Sequence, residues 1–508
     1  MYKITIIMVL GVCLAACSTK PEKPVARYID PTASLFDATL KPFYHGVASG
    51  DPLADRVIIW TRVTPEDSVA RIPVEWEISE SPEFTAVYKS DTLSTTPARD
   101  YTVKVDVADL KPGSVYYYRF KALGGTSPVG RTKTSPITSI DSLKLAVVSC
   151  ANWEWGYFNP YEKIADRKDV DAVLHLGDYI YEYGRGKYGD TTIRKNLPPY
   201  EIISLSDYRT RHASYRTDKG LRLMTQQHPL IAIWDDHEVA NDSYKSGAQN
   251  HQADKEGDYQ KRKDAAKQAY YEWIPIRENT RLYRSFSYGP MADILMLDER
   301  LEGRTKPVDS LTDPRYNDDR TMLGAEQLEW LEKGMKDSKA TWKVIGNQVM
   351  LADVYLSKVY PNRPRNLDSW DGYPAEKKKI KDFIVENNLK DIIFLTGDTH
   401  ASWAIEAATD VKKGYKPFAI EFGTTSVSSA NDDEYKPVED VKKMEAYLLQ
   451  DNPHIKYVND RDHGYLLLTL YNDKAKAEWY FCETLRSPNT SEFLGAKFTV
   501  ERGTVKLR

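Results

Sequence analysis

Residues 170–183 read VDAVLHLGDYIYEY: an apolar run, then Gly177, then Asp178, with Tyr181 three residues further on. Four to eight apolar residues closed by a glycine predict a buried strand of a parallel sheet. Open α/β sheets collect their chemistry at the carboxyl ends of strands, where a carboxylate can leave the sheet and face a crevice. Asp178 is expected at such an end. A carboxylate can bridge two cations, and a phenol one turn away can ligate once a metal has lowered its pKa. Taken alone, G-D-x-x-Y is equally a Gly-Asp turn followed by an interface tyrosine, so the rest of the chain decides.

Three more apolar runs end in ligand-type residues. LKLAVVSC (143–150) ends at Cys150, followed by Ala151 and Asn152. LIAIWDDHEVAND (230–242) delivers Asp235, Asp236, His237 and Glu238, with Asn241 and Asp242 a turn later. DIIFLTGDTH (391–400) delivers Asp398 and His400 behind Gly397. Each has an ordinary reading: a buried thiol, a helix N-terminus with favourable negative charge, a turn. Together they do not, because carboxylates gathered at one end of a sheet repel unless cations neutralise them. Thiolate, phenolate, carboxylate and imidazole form a mixed set suited to iron more than to a structural zinc. The remaining carboxylate and amide oxygens suit calcium, magnesium or manganese. Two such cations can clamp a phosphate and activate water for in-line attack, and a neighbouring histidine can protonate the leaving oxygen.

Alternating apolar runs and helical patterns carry this α/β texture from 143 onwards. Strands are predicted at 143–149, 170–177, 230–234, 294–297, 342–346, 391–396 and 418–422, with an antiparallel end at 464–471 and 477–484. A helix is predicted over 259–273, where Ala266, Ala269, Tyr270 and Trp273 fall at three- and four-residue steps and Pro275 stops it. Ahead of this domain, 74–78, 103–107 and 116–120 alternate apolar and polar residues in the period of half-buried strands, with no helix between them. They predict an N-terminal β-sandwich resembling fibronectin type III domains over 39–125, followed by a Gly/Ser/Thr/Pro-rich linker at 126–142 and the catalytic domain at 143–508.

The 508-residue chain has room for two domains. Lys3, a short apolar run and Leu14-Ala-Ala-Cys17 resemble a bacterial lipoprotein signal over 1–16, with Cys17 lipidated and 17–38 a polar tether; an ordinary secretory signal is the alternative. Either way the protein is exported, and Ser18 leans towards the outer membrane by the same resemblance. Loss of Lys3 takes the formal charge from −4 to −5, with 28% charged residues of mixed sign, which excludes the basic stripe of a nucleic-acid binder. No other stretch is long enough to span a bilayer, leaving the lipid as the sole membrane contact of an expected monomer. Cys150 and Cys482 remain after processing, too few for a disulfide scaffold.

In order along the chain, HGVASGDPLADRVIIWTRV, SCANWEWGYFNPY, HLGDYIYEYG, WDDHEVAND, NQVML and GDTHAS resemble the PhoD-like (alkaline phosphatase D) family of metallophosphoesterases, over roughly residues 40–485. That resemblance implies a phosphoesterase of monoesters and diesters containing Fe(III) and one or two calcium ions, acting on small phosphate esters or a cell-envelope polymer. It implies an α/β catalytic domain with central sheets flanked by helices. It implies Cys150, Tyr181, Asp178 and His400 as iron ligands, Asp178 bridging. Asp398, Asn241 and one or both of Asp235 and Asp236 are implied at calcium, His237 near the leaving group and Asn152 as a phosphate-oxygen donor. Arg209, Asp298 and Arg300 are expected to steady the anionic substrate, since guanidinium matches phosphate geometry. Two other readings remain: a hydrolase with Cys150 as nucleophile, and a surface adhesion lipoprotein working through its fibronectin-like domain.

Overall fold

The computed structural model describes residues 1, 26–278, 281–409, 411 and 414–508. The expected signal and lipidated Cys17 lie outside the described residues. Two mixed sheets pack face to face. The first has nine strands, with Ser142–Val148, Ala172–His175 and Pro229–Ala232 parallel at its centre. The second has seven, with Ala292–Met296, Trp342–Gly346, Ile392–Thr396 and Ala419–Gly423 parallel. The predicted apolar runs are these strands, shifted by a residue or two at their ends.

Alternation along each strand explains the layering. Ile393 and Leu395 enter the core shared with Leu145, Val147 and Leu174 of the first sheet, while Ile392 and Phe394 join the core under helices Ala325–Asp337, Pro374–Glu386 and Val438–Asp451. Each wholly buried Leu, Ile or Phe side chain here stabilises the fold by roughly 1.5–3 kcal/mol. The predicted helix forms as Tyr259–Trp273, with Asp258 accepting from the backbone of Gln260 and Lys261 at its start. Among the described residues no helix is long and apolar enough to cross a membrane.

The N-terminal region differs from its expected form. Val47–Gly50, Val57–Arg62 and Thr102–Val107 are the last three strands of the nine-stranded sheet, joined to it where Ser49 and Gly50 pair with Pro229 and Leu230. A smaller sheet containing Ile72–Ser79, Lys89–Thr95 and Val115–Ala122 packs across them, so this core is built half on the catalytic sheet. The expected linker at 126–142 carries strand Gly130–Lys133, paired with Val115–Ala122. A Cβ on Gly130 would lie 2.2 Å from Cζ of Tyr118, so this glycine serves close approach rather than flexibility. From residue 26 the expected tether is also packed down. Tyr28 donates its N–H to Glu66, and Asp30 is buried against Arg62.

Candidate active site

The parallel strands of both sheets end at one edge, where Ser149 bridges Ser426, three residues beyond strand Ala419–Gly423 of the other sheet. Just beyond the first sheet, the N–H groups of Cys150 and Ala151 donate to the carbonyls of Gly177 and Asp178 at 3.1 and 2.9 Å. Gly177 has φ +106°, and a Cβ there would lie 2.4 Å from the backbone nitrogen of Asp235, so only glycine lets the two strand ends approach. Four candidate ligands themselves adopt left-handed backbone: Cys150 at φ 60°, Asp178 at 53°, Asp398 at 60° and His400 at 60°. Each such residue costs about 1–3 kcal/mol and persists where its surroundings over-determine it, as at functional sites.

Cys150, Asp178 and His400 offer ligand atoms within 4.8 Å of one another. The Tyr181 hydroxyl lies 3.0 Å from Asp178 Oδ2 and 3.4 Å from His400 Nε2. His400 Nδ1 is 2.7 Å from the Ala430 carbonyl, which assigns the proton to Nδ1 and leaves the Nε2 lone pair to the cluster. A second group, Asp235, Asp236 and Asp398, has the same tight spacing, and so do Asp178, Asp236 and His237. Asp178 and Asp236 therefore each serve two groups.

The protein's own charges do not hold this cluster ionised. Burial drives the Asp178 carboxyl well up, with Asp235 and Asp236 adding to the shift against His237. Burial moves Asp235 to about 6 despite Arg300 beside it, and moves Asp242 to about 7 with help from Asp368 and Asp236. The Cys150 thiol and Tyr181 phenol are likewise pushed up, by burial first and then by Asp178. Asp235 Oδ2 is buried with no hydrogen-bond partner. A set of thiol, phenol, imidazole and crowded carboxylates with an orphaned oxygen fits bound cations. As a nucleophile Cys150 fits poorly, since it is fully buried and its thiolate is disfavoured.

Other expectations need correction. Asn152 is held in its loop: its Oδ1 accepts from Glu154 N–H at 2.9 Å and its Nδ2 donates one hydrogen to the Tyr188 carbonyl at 3.1 Å. Arg209 is not at the site but is clamped by both oxygens of Glu272 at 2.6 and 2.7 Å, because a buried carboxylate captures the guanidinium first. Asp298 shapes a turn, accepting the N–H groups of Arg300 and Leu301 at 3.1 and 2.8 Å. Arg300 does reach the site, fully buried, but its nitrogens are committed to carboxylates: Nε to Asp235, Nη1 to Asp368 at 2.6 Å and Nη2 to Asp398 at 2.9 Å. It anchors the acidic cluster rather than standing free for substrate. Asn241 donates Nδ2 to Gln249 at 3.1 Å, and its Oδ1 makes no hydrogen bond among the described residues.

Three residues support the cluster through partners that their sequence context does not signal. Glu238 accepts the N–H groups of Asp178 at 3.0 Å and Asp235 at 2.6 Å, tying two strand ends together. Asp368 holds Arg300 and Arg304 from a long loop that carries no motif. Glu182, next to Tyr181, lies 2.6 Å from His237 Nδ1. Arg211 is structural: it donates to the carbonyls of Tyr181, Tyr183, Leu197, Pro198 and Tyr200. A cavity of about 400 Å³ opens beside Asp398, with Thr399, Trp403, Tyr360 and Arg363 in its wall.

Comparison with known proteins gives the chain its family. The family described as PhoD-like phosphatase matches residues 145–479, and the PhoD-like phosphatase N-terminal domain matches residues 31–136. Alkaline phosphatase D of Bacillus subtilis (strain 168) is 36% identical over 497 residues, covering 92% of this chain and 82% of that protein. A solved structure of PhoD superposes with a TM-score of 0.84 at 34% identity, covering 92% of each chain. The chain belongs to the PhoD-like alkaline phosphatase family.

Proposed function

We propose that this chain is an exported, lipid-anchored, metal-dependent phosphoesterase that cleaves phosphate monoesters and diesters, either small molecules or a cell-envelope polymer. One observation carries the reading: Cys150, Asp178, Tyr181 and His400 converge within ligand distance of one another, directly beside Asp235, Asp236 and Asp398. The first four would hold iron, and Asp235, Asp236, Asn241 and Asp398 one or two calcium ions, with magnesium or manganese as substitutes. When bound, the cations neutralise the carboxylates and polarise the phosphoryl group.

The chain's own residues do the rest. Arg300 keeps Asp235 and Asp398 facing the site, Glu238 fixes the strand ends, and the cavity beside Asp398 receives the alcohol portion. His237 gives a proton to the departing ester oxygen. The N-terminal unit acts as a scaffold fused to the catalytic sheet; family membership does not support adhesion as its task. Hydrolysis of a panel of monoesters and diesters by the natively purified protein, before and after chelation, tests the proposal. Metal-dependent release of phosphate or alcohol supports it, and unchanged turnover after complete metal removal rejects it.

A further inference from the structure

Glu182 is wholly buried, yet among the described residues no lysine or arginine pairs with it; its one ionisable partner is His237. Oε2 lies 2.6 Å from His237 Nδ1. Oε1 accepts from the backbone N–H of Asn241 and from Nδ2 of Asn250, both at 2.8 Å. The His237 ring is further confined by Tyr181 and Tyr183, with ring centroids 4.3 and 5.3 Å away. Its Nε2 makes no hydrogen bond among the described residues. A carboxylate that takes one imidazole nitrogen fixes both the tautomer and the direction of the other. Burying a carboxylate is costly, and this one is anchored at both oxygens to a histidine and to the Asn241 backbone.

We propose that Glu182 is a positioning residue: it holds His237 with Nδ1 turned inward and Nε2 presented to the ester oxygen, and with its second oxygen fixes the loop carrying Asn241. This rests on the role of His237 given above. As the P–O bond to the alcohol breaks, the bonding pair stays on the alcohol oxygen, which takes the Nε2 proton of the doubly protonated His237 ring and leaves the neutral Nδ1–H tautomer on Glu182; water supplies the oxygen gained by phosphorus and the proton that recharges the ring.

The test uses the full-length, metal-loaded enzyme, its E182Q and H237N variants and the double variant, with ethyl phosphate and p-nitrophenyl phosphate. A poor leaving group needs the proton and a good one does not. E182Q is expected to retain its metals and KM, to lose about 10- to 100-fold in kcat on ethyl phosphate, and to lose less than about 3-fold on p-nitrophenyl phosphate. The double variant is expected to be no slower than H237N alone. Equal losses on both esters, or additive losses in the double variant, overturn the positioning role and leave the phosphoesterase reading standing. Wild-type rates in H237N overturn the role of His237 and this inference with it. Should E182Q fail to fold, Glu182→Asp, which keeps the charge, runs through the same cycle with the same outcomes.

Discussion

The Tyr181 hydroxyl lies 3.4 Å from His400 Nε2, although 219 residues separate them and they follow strands of different sheets. His400 also faces Cys150 and Asp178, and the phenol lies 3.0 Å from Asp178 Oδ2, so in the proposed function the phenol is a ligand rather than packing. Tyr181→Phe keeps the ring and removes only the oxygen. It is expected to lower iron content and kcat together, by at least about 100-fold in kcat, since even outer partners of a metal ligand are worth 10–100-fold. Iron analysis beside steady-state rates checks this; a fully loaded, fully active variant would count against the ligand role.

The two described cysteines provide an internal control. Both are buried and unpaired, but Cys150 ends a central strand at the cluster while Cys482 ends Lys474–Cys482 near the sheet edge. Cys150→Ser is expected to lose iron and activity, and Cys482→Ser to change neither. Matching metal content in the two variants would remove the thiolate from the site.

Arg300 is the positive charge that ties Asp235, Asp368 and Asp398 together. Lysine cannot reproduce its fork. Arg300→Lys is expected to destabilise the metal-free protein by about 3 kcal/mol, because removing one side of a buried ion network strands the carboxylates. Added calcium is expected to recover much of that loss by neutralising the same groups. Denaturant melts with and without calcium measure both; equal losses in the two conditions would separate Arg300 from the cation-binding carboxylates.

Acid sensitivity is predicted at Asp30, in the N-terminal region. Burial raises the Asp30 carboxyl, but Arg62 at 2.6 Å overrides it and takes the group from 3.8 to about 2. A folded pKa below the unfolded one means the unfolded chain holds the proton more tightly. The stabilisation is therefore complete above about pH 4 and is lost as pH falls through about 2, amounting to about 2 kcal/mol. Asp30→Asn is expected to cost about that much at pH 7 and to flatten the stability curve between pH 4 and 2. Parallel curves for variant and wild type would reject the assignment.

What the sequence made legible was local. An apolar run closed by Gly177-Asp178 or Gly397-Asp398 carries its strand and its functional end in ten residues, so those ends could be placed before any coordinates. Sheet membership of Val47–Gly50 could not be, because its parallel pairing with Pro229–Ala232 joins segments almost two hundred residues apart and leaves no periodic trace. The same holds for Asp368, whose loop has no pattern and whose role exists only through Arg300. Arg209 illustrates the opposite error: a residue type suited to phosphate, in a plausible segment, already satisfied by Glu272. Glu182 lies in the same stretch as Asp178 and Tyr181, yet nothing local points to a partner 55 residues away.

The central claim is that cations hold a thiolate, a phenolate and a crowd of carboxylates at one sheet edge, and a combined metal analysis and visible absorption spectrum of natively purified protein tests it most directly. The account predicts iron at about one per chain with calcium beside it, and a phenolate-to-iron band that disappears in Tyr181→Phe. A colourless wild-type chain, free of bound metal and fully active on phosphate esters, would contradict it.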